Sequence, residues 1–174
     1  MKLESAGKDI IISDFNEAEA LRLAMKLESD GIRYYTELSK KAASEDVRKM
    51  LRRLADEEAK HLGKFKDWFE KSNPGEEADR GDEEGPFDFI DSGVFGDIWK
   101  VEETLAGVKS DKDAVTLGEW AELNSIKFYR AIYEKTSDES GRKILKGIIK
   151  EEQDHLKAFA RYRELLVKCE NKEG

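Results

Sequence analysis

Both histidines of this chain sit in the same short pattern. Residues 57–65 read EEAKHLGKF and residues 151–159 read EEQDHLKAF, so each is E-E-x-x-H-L-x-x-F. On a helix, a glutamate and a histidine three residues apart share one face, about 4.5 Å apart along the axis, and can approach the same cation. A lone glutamate precedes each pair: Glu28 lies 30 residues before Glu58, and Glu122 lies 30 residues before Glu152. A single E-x-x-H in a glutamate-rich helix is ordinarily chance on a solvated face. Two of them, taking up every histidine in the chain and each preceded by a matching glutamate, point to a metal.

The elements that must position these residues are repeated as well. Shifting the chain by 94 residues lays one half on the other without a gap, and Glu28, Ile32 and Tyr35 fall on Glu122, Ile126 and Tyr129. Apolar residues recur at steps of three and four from Ser13, a possible N-cap, to about Ala43, with Leu21, Ala24, Glu28, Gly31, Tyr35, Leu38 and Ala42 on the stripe. A second stripe after Ser44 runs to about Lys71 through Val47, Leu51, Leu54, Glu58, His61, Phe65 and Trp68, and Asn73-Pro74-Gly75 closes it. A third helix is predicted from Asp111 to Lys135, and a fourth from Asp138, a good N-cap, to about Cys169. Short turns make antiparallel hairpins of about 14–72 and 111–169. Within the connection of about 73–110, residues 76–86 read as an acidic surface loop, and 87–109 as an apolar, glycine-broken segment that covers the bundle or a partner subunit. The expectation is one all-α domain over residues 1–174, a ferritin-like four-helix bundle with one long crossover between the second and third helices.

The polar residues of interest interrupt the inner stripes. Glu58 and His61 lie between Leu54 and Phe65, Glu152 and His155 between Ile148 and Phe159, and no lysine or arginine shares those stripes. Each carboxylate in an apolar core costs several kcal/mol unless it is paired or neutralised. Two divalent cations would balance the four charges of Glu28, Glu58, Glu122 and Glu152, with two neutral histidines completing the ligand shells. One glutamate from each of two helices plus E-x-x-H from each of the other two is the way such bundles hold two metal ions. Oxygen-rich ligation with one imidazole per ion favours iron or manganese, and zinc is compatible.

Composition narrows the remaining classes. Charged residues make up 40% of the chain with only two prolines, which suits long amphipathic helices, and the net charge of -8 provides no basic stripe for nucleic acid. The N-terminal apolar run of three residues is too short for a secretory signal, and no run approaches a membrane span, so a soluble, cytoplasmic protein is expected. A single cysteine, Cys169, allows neither an intrachain disulfide nor a cysteine-based metal site and reads as an inert thiol.

On these motifs, over about residues 14–169, the chain resembles the rubrerythrin branch of the ferritin-like superfamily. The resemblance implies that Glu58 and Glu152 bridge two irons, while Glu28, Glu122, His61 and His155 are terminal ligands. It also implies oxidation of a diferrous site by hydrogen peroxide or dioxygen in oxidative-stress protection. Two departures matter. Rubrerythrins proper append a four-cysteine rubredoxin domain, so electrons are expected here from a separate donor protein. The family's extra glutamate, one turn after the third-helix ligand, is replaced by Ser125, which should slow peroxide turnover. Glu119, one turn before Glu122 at the edge of the stripe, is a further acidic candidate whose repeat partner is Met25. Tyr35 and Tyr129 read first as core packing, with a hydrogen bond to a ligand carboxylate or electron donation as the alternative. Trp68, Trp99 and Trp120 read as packing, and the remaining lysines and glutamates as solvated outer faces. Two other functions stay open: iron oxidation for storage or delivery, and a metal-free interaction module using segment 87–109. A homodimer is expected.

Overall fold

The computed structural model describes residues 1–6, 9–77 and 105–173, with side chains for residues 1–4, 9–77 and 105–167. Expectations for residues 78–104, Trp99 among them, and for the Cys169 thiol lie outside the described residues. Among the described residues, six elements follow in chain order: strands β1 (Lys2–Ala6) and β2 (Asp9–Ser13), then helices α1 (Glu17–Lys41), α2 (Glu45–Ser72), α3 (Asp111–Lys135) and α4 (Glu139–Glu173).

Each helix starts where a side chain can take an orphan backbone donor. Asn16 accepts from the Glu19 amide, Ser44 from Val47, Ser110 from Asp113, and Asp138 from Gly141 at 2.6 Å. Ser13 is therefore not the cap of α1. It ends β2, and Asp14, in the left-handed region at φ 49°, turns the chain before Asn16 caps the helix. The antiparallel β1–β2 hairpin pairs Leu3 with Ile12 and Ser5 with Ile10; Leu3, Ile10 and Ile12 are buried against the bundle while Ile11 faces out.

The core is in two parts. One is built from the hairpin, Leu21 and Leu27 of α1, Phe65 and Phe69 of α2, Phe128 and Ile132 of α3, and Leu145 and Ile148 of α4. The other takes Tyr35 and Leu38, Leu51 and Leu54, Ala114 and Val115, and Phe159. Thus α1 and α4 run from the first part to the second, while α2 and α3 run the opposite way. The last turn of α2 and the first turn of α3 consequently lie at opposite ends of the bundle, which is the single-crossover, ferritin-like topology. Leu105 and Val108, at the end of the connection, pack on the second part of the core. Asp111 then ties α3 to the α1–α2 turn, accepting from the amides of Ala43 at 2.7 Å and Ser44 at 2.9 Å. Trp68 is buried as expected, whereas Trp120 is 40% exposed.

Candidate metal centre

The stripe residues that are not apolar form the layer between the two core parts. Glu28 comes from α1, Glu58 and His61 from α2, Glu122 from α3, and Glu152 and His155 from α4, and all six are buried. They form two groups, Glu28–Glu58–His61–Glu152 and Glu58–Glu122–Glu152–His155, in each of which one donor atom per residue lies within 4.8 Å of the others. Glu58 and Glu152 belong to both. Glu119 belongs to neither; its Oε2 accepts from Arg163 Nη1 at 2.9 Å at the bundle surface. Gly31 packs beside Glu58, and a Cβ there would stand 3.4 Å from Glu58 Cγ.

The two imidazoles stack with centroids 6.0 Å apart and each turns Nδ1 inward. His61 Nδ1 lies 3.2 Å from Glu58 Oε2, 3.1 Å from Glu152 Oε1 and 3.8 Å from Glu28 Oε1. His155 Nδ1 lies 2.9 Å from Glu152 Oε2, 3.4 Å from Glu122 Oε1 and 3.9 Å from Glu58 Oε1. The outward nitrogens meet the first glutamate of the other motif: His61 Nε2 is 2.7 Å from Glu151 Oε2, and His155 Nε2 is 3.5 Å from Glu57 Oε2. Glu57 and Glu151 had read as solvated outer residues. The doubled E-E at the head of both motifs was the signal for their shared role.

The tyrosines bond across the bundle rather than merely packing. Tyr35 of α1 donates to Glu122 Oε1 at 2.7 Å, and Tyr129 of α3 donates to Glu28 Oε1 at 2.6 Å. The less favoured sequence reading therefore applies to both hydroxyls.

Burial, then the Glu58 and Glu152 charges, push the Glu28 carboxyl well above the usual range; burial, then Glu58 and Glu122, do the same to Glu152. Burial also opposes the ionised form of Glu122, but hydrogen bonds from His155 and Tyr35 outweigh it and hold this carboxyl low. Burial alone would lower both histidines. Glu58, Glu28 and Glu151 instead raise His61 to about 9, and Glu122 and Glu152 raise His155 to about 11. The cluster thus attracts positive charge strongly, from protons or from cations. Among the described residues no aligned hydrogen-bond donor reaches the buried Glu152 Oε1, although His61 Nδ1 stands 3.1 Å away. A carboxylate oxygen with no donor, inside two overlapping carboxylate–imidazole sets, is chemistry that a cation completes. The residues fit a metal site.

The rubrerythrin family model matches residues 19–163, and the chain belongs to that family. A hypothetical protein from Pyrococcus furiosus has a similar structure, with TM-score 0.65, 22% sequence identity, and coverage of 89% of this chain and 92% of that one. At that identity the likeness concerns the fold alone. No curated protein is a significant match to the sequence. Among the described residues, no helix is long and apolar enough to cross a membrane.

Proposed function

We propose that the layer between the two core parts binds two iron ions, and that the protein is an oxidoreductase of rubrerythrin type acting on hydrogen peroxide or dioxygen in oxidative-stress protection. The observation that carries the reading is the sharing of Glu58 and Glu152 by both donor sets, because a carboxylate common to two sets can bridge two cations. In this reading Glu28 and His61 complete one ion's ligands, and Glu122 and His155 complete the other's. Bound ferrous iron would supply the electrons that reduce the oxidant.

The chain's own residues hold this arrangement in register. Tyr35 and Tyr129 each fix one oxygen of Glu122 and Glu28 and so hold both carboxyls in the layer. Glu151 fixes the His61 ring through Nε2, so that Nδ1 faces the carboxylates. The two apolar core parts above and below exclude water from the layer and strengthen every charge interaction within it. Electrons for re-reduction come from a separate donor protein in this reading, and the chain functions in the cytoplasm as a homodimer.

Counting the ferrous ions oxidised per chain by peroxide and by dioxygen tests the proposal. Oxidation that stops at two per chain until a reductant is added supports it. Continued oxidation of added ferrous iron would favour iron storage or delivery instead. Protein that takes up no metal and melts identically with and without a chelator would favour a metal-free interaction module.

A further inference from the structure

The two halves of the centre are related by the 94-residue repeat, but the residues behind them are not. Glu151 Oε2, which meets His61 Nε2 at 2.7 Å, is also bound by Lys64 Nζ at 2.6 Å. Lys64, Glu151 and His61 therefore form a closed brace between α2 and α4. The equivalent brace on the other half would join His155, Glu57 and residue 158, and residue 158 is alanine. Glu57 is shared between two neighbours: its Oε1 lies 3.4 Å from Arg53 on its own helix, where the repeat has Gly147, and its Oε2 faces His155. That oxygen stands 3.5 Å from His155 Nε2, and among the described residues this buried nitrogen has no aligned hydrogen-bond partner. One imidazole is held from behind at 2.7 Å by a carboxylate that a lysine braces, and the other faces its carboxylate at 3.5 Å with no lysine behind it.

We propose that the Lys64–Glu151 brace makes the two metal positions unequal, the one served by His61 being firmly held and the one served by His155 labile. This rests on the metal-binding reading above. A ring held through its outer nitrogen keeps its inner nitrogen aimed at the ion with no ordering left to accomplish on binding, and loss of such a support lowers metal affinity by about 10- to 100-fold. Lys64 and Glu151 are positioning residues, acting through His61.

The test is a Zn(II) titration of the full chain followed through the ring signals of its two histidines, with affinities from chelator competition. In the wild type, the His61 signals should respond over the first equivalent and those of His155 over the second, with affinities differing about tenfold or more. Lys64→Ala should narrow the gap by weakening the first position. Ala158→Lys, which recreates the missing brace on Glu57, should narrow it by strengthening the second. Two bound ions with both histidines responding in parallel would overturn the inequality while leaving the metal site intact, as would an affinity ratio unmoved by Lys64→Ala. Zinc that does not bind at all would overturn both this inference and the reading beneath it. Lys64 is partly exposed, so its truncation leaves the core unaltered and keeps the test available should Ala158→Lys fail to fold.

Discussion

The Tyr129 hydroxyl on α3 donates to Glu28 on α1 at 2.6 Å, and Tyr35 returns the same bond from α1 to Glu122 on α3. These bonds tie the two hairpins at the level of the carboxylate layer. A buried hydrogen bond to a charged group contributes about 1.5–3 kcal/mol. Tyr35→Phe, which loses a bond to the low-lying Glu122 carboxyl, should lower unfolding free energy by about that amount, and Tyr129→Phe, whose partner Glu28 is held in the neutral form, by about 0.5–1.5 kcal/mol. Urea denaturation measures it; variants as stable as the wild type would show that the phenols only pack.

Metal-free protein should lose stability as pH rises. His61 and His155, at about 9 and about 11 in the fold, bind protons more tightly than in the unfolded chain, where the ordinary value is 6.5. Their contribution is complete below 6.5 and disappears as pH climbs through about 9 and then about 11. The raised Glu28 and Glu152 act in the same direction from 4.5 upward, and the lowered Glu122 acts in the opposite one. Thermal melting of chelator-treated protein should fall by several degrees between pH 6.5 and 9, and bound metal should flatten that slope. A metal-free melting temperature that climbs over this range would contradict the assignment.

Gly118 lies against the fully buried ring of Phe159, one turn beyond His155. A Cβ at Gly118 would stand 2.2 Å from Phe159 Cζ, whereas at Gly147 it would meet nothing within 4 Å among the described residues. Alanine is better than glycine in a helix by about 1 kcal/mol, but overpacking a core costs about 1–3 kcal/mol. Gly147→Ala should therefore stabilise the protein and Gly118→Ala should destabilise it. Opposite shifts in denaturation midpoint are the expected outcome, and equal gains would mean that the Phe159 ring has room to move.

The inner stripes were legible in the sequence because period and repeat reinforced each other: a glutamate or histidine among leucines at helical spacing, seen twice, marks a buried polar layer. Glu28, Glu58, His61, Glu122, Glu152 and His155 fall together for that reason. The β1–β2 hairpin was not legible, since Ile10 and Ile12 alternate over too few residues to stand out from a helix lead-in. Nor were the partners of Tyr35, Tyr129, Glu57 and Glu151. Each of those contacts crosses between hairpins, and helical spacing says which face a residue occupies without saying which residue of another helix it meets.

The central claim is tested most directly by the iron content and iron-dependent near-ultraviolet absorption of protein expressed in iron-supplemented medium, beside a Glu58→Ala, Glu152→Ala variant confirmed as helical by circular dichroism. Two irons per chain, lost from a folded variant, is the predicted result, because both donor sets depend on these two carboxylates. Wild-type protein with no bound transition metal, or a variant that retains its full iron, would contradict it.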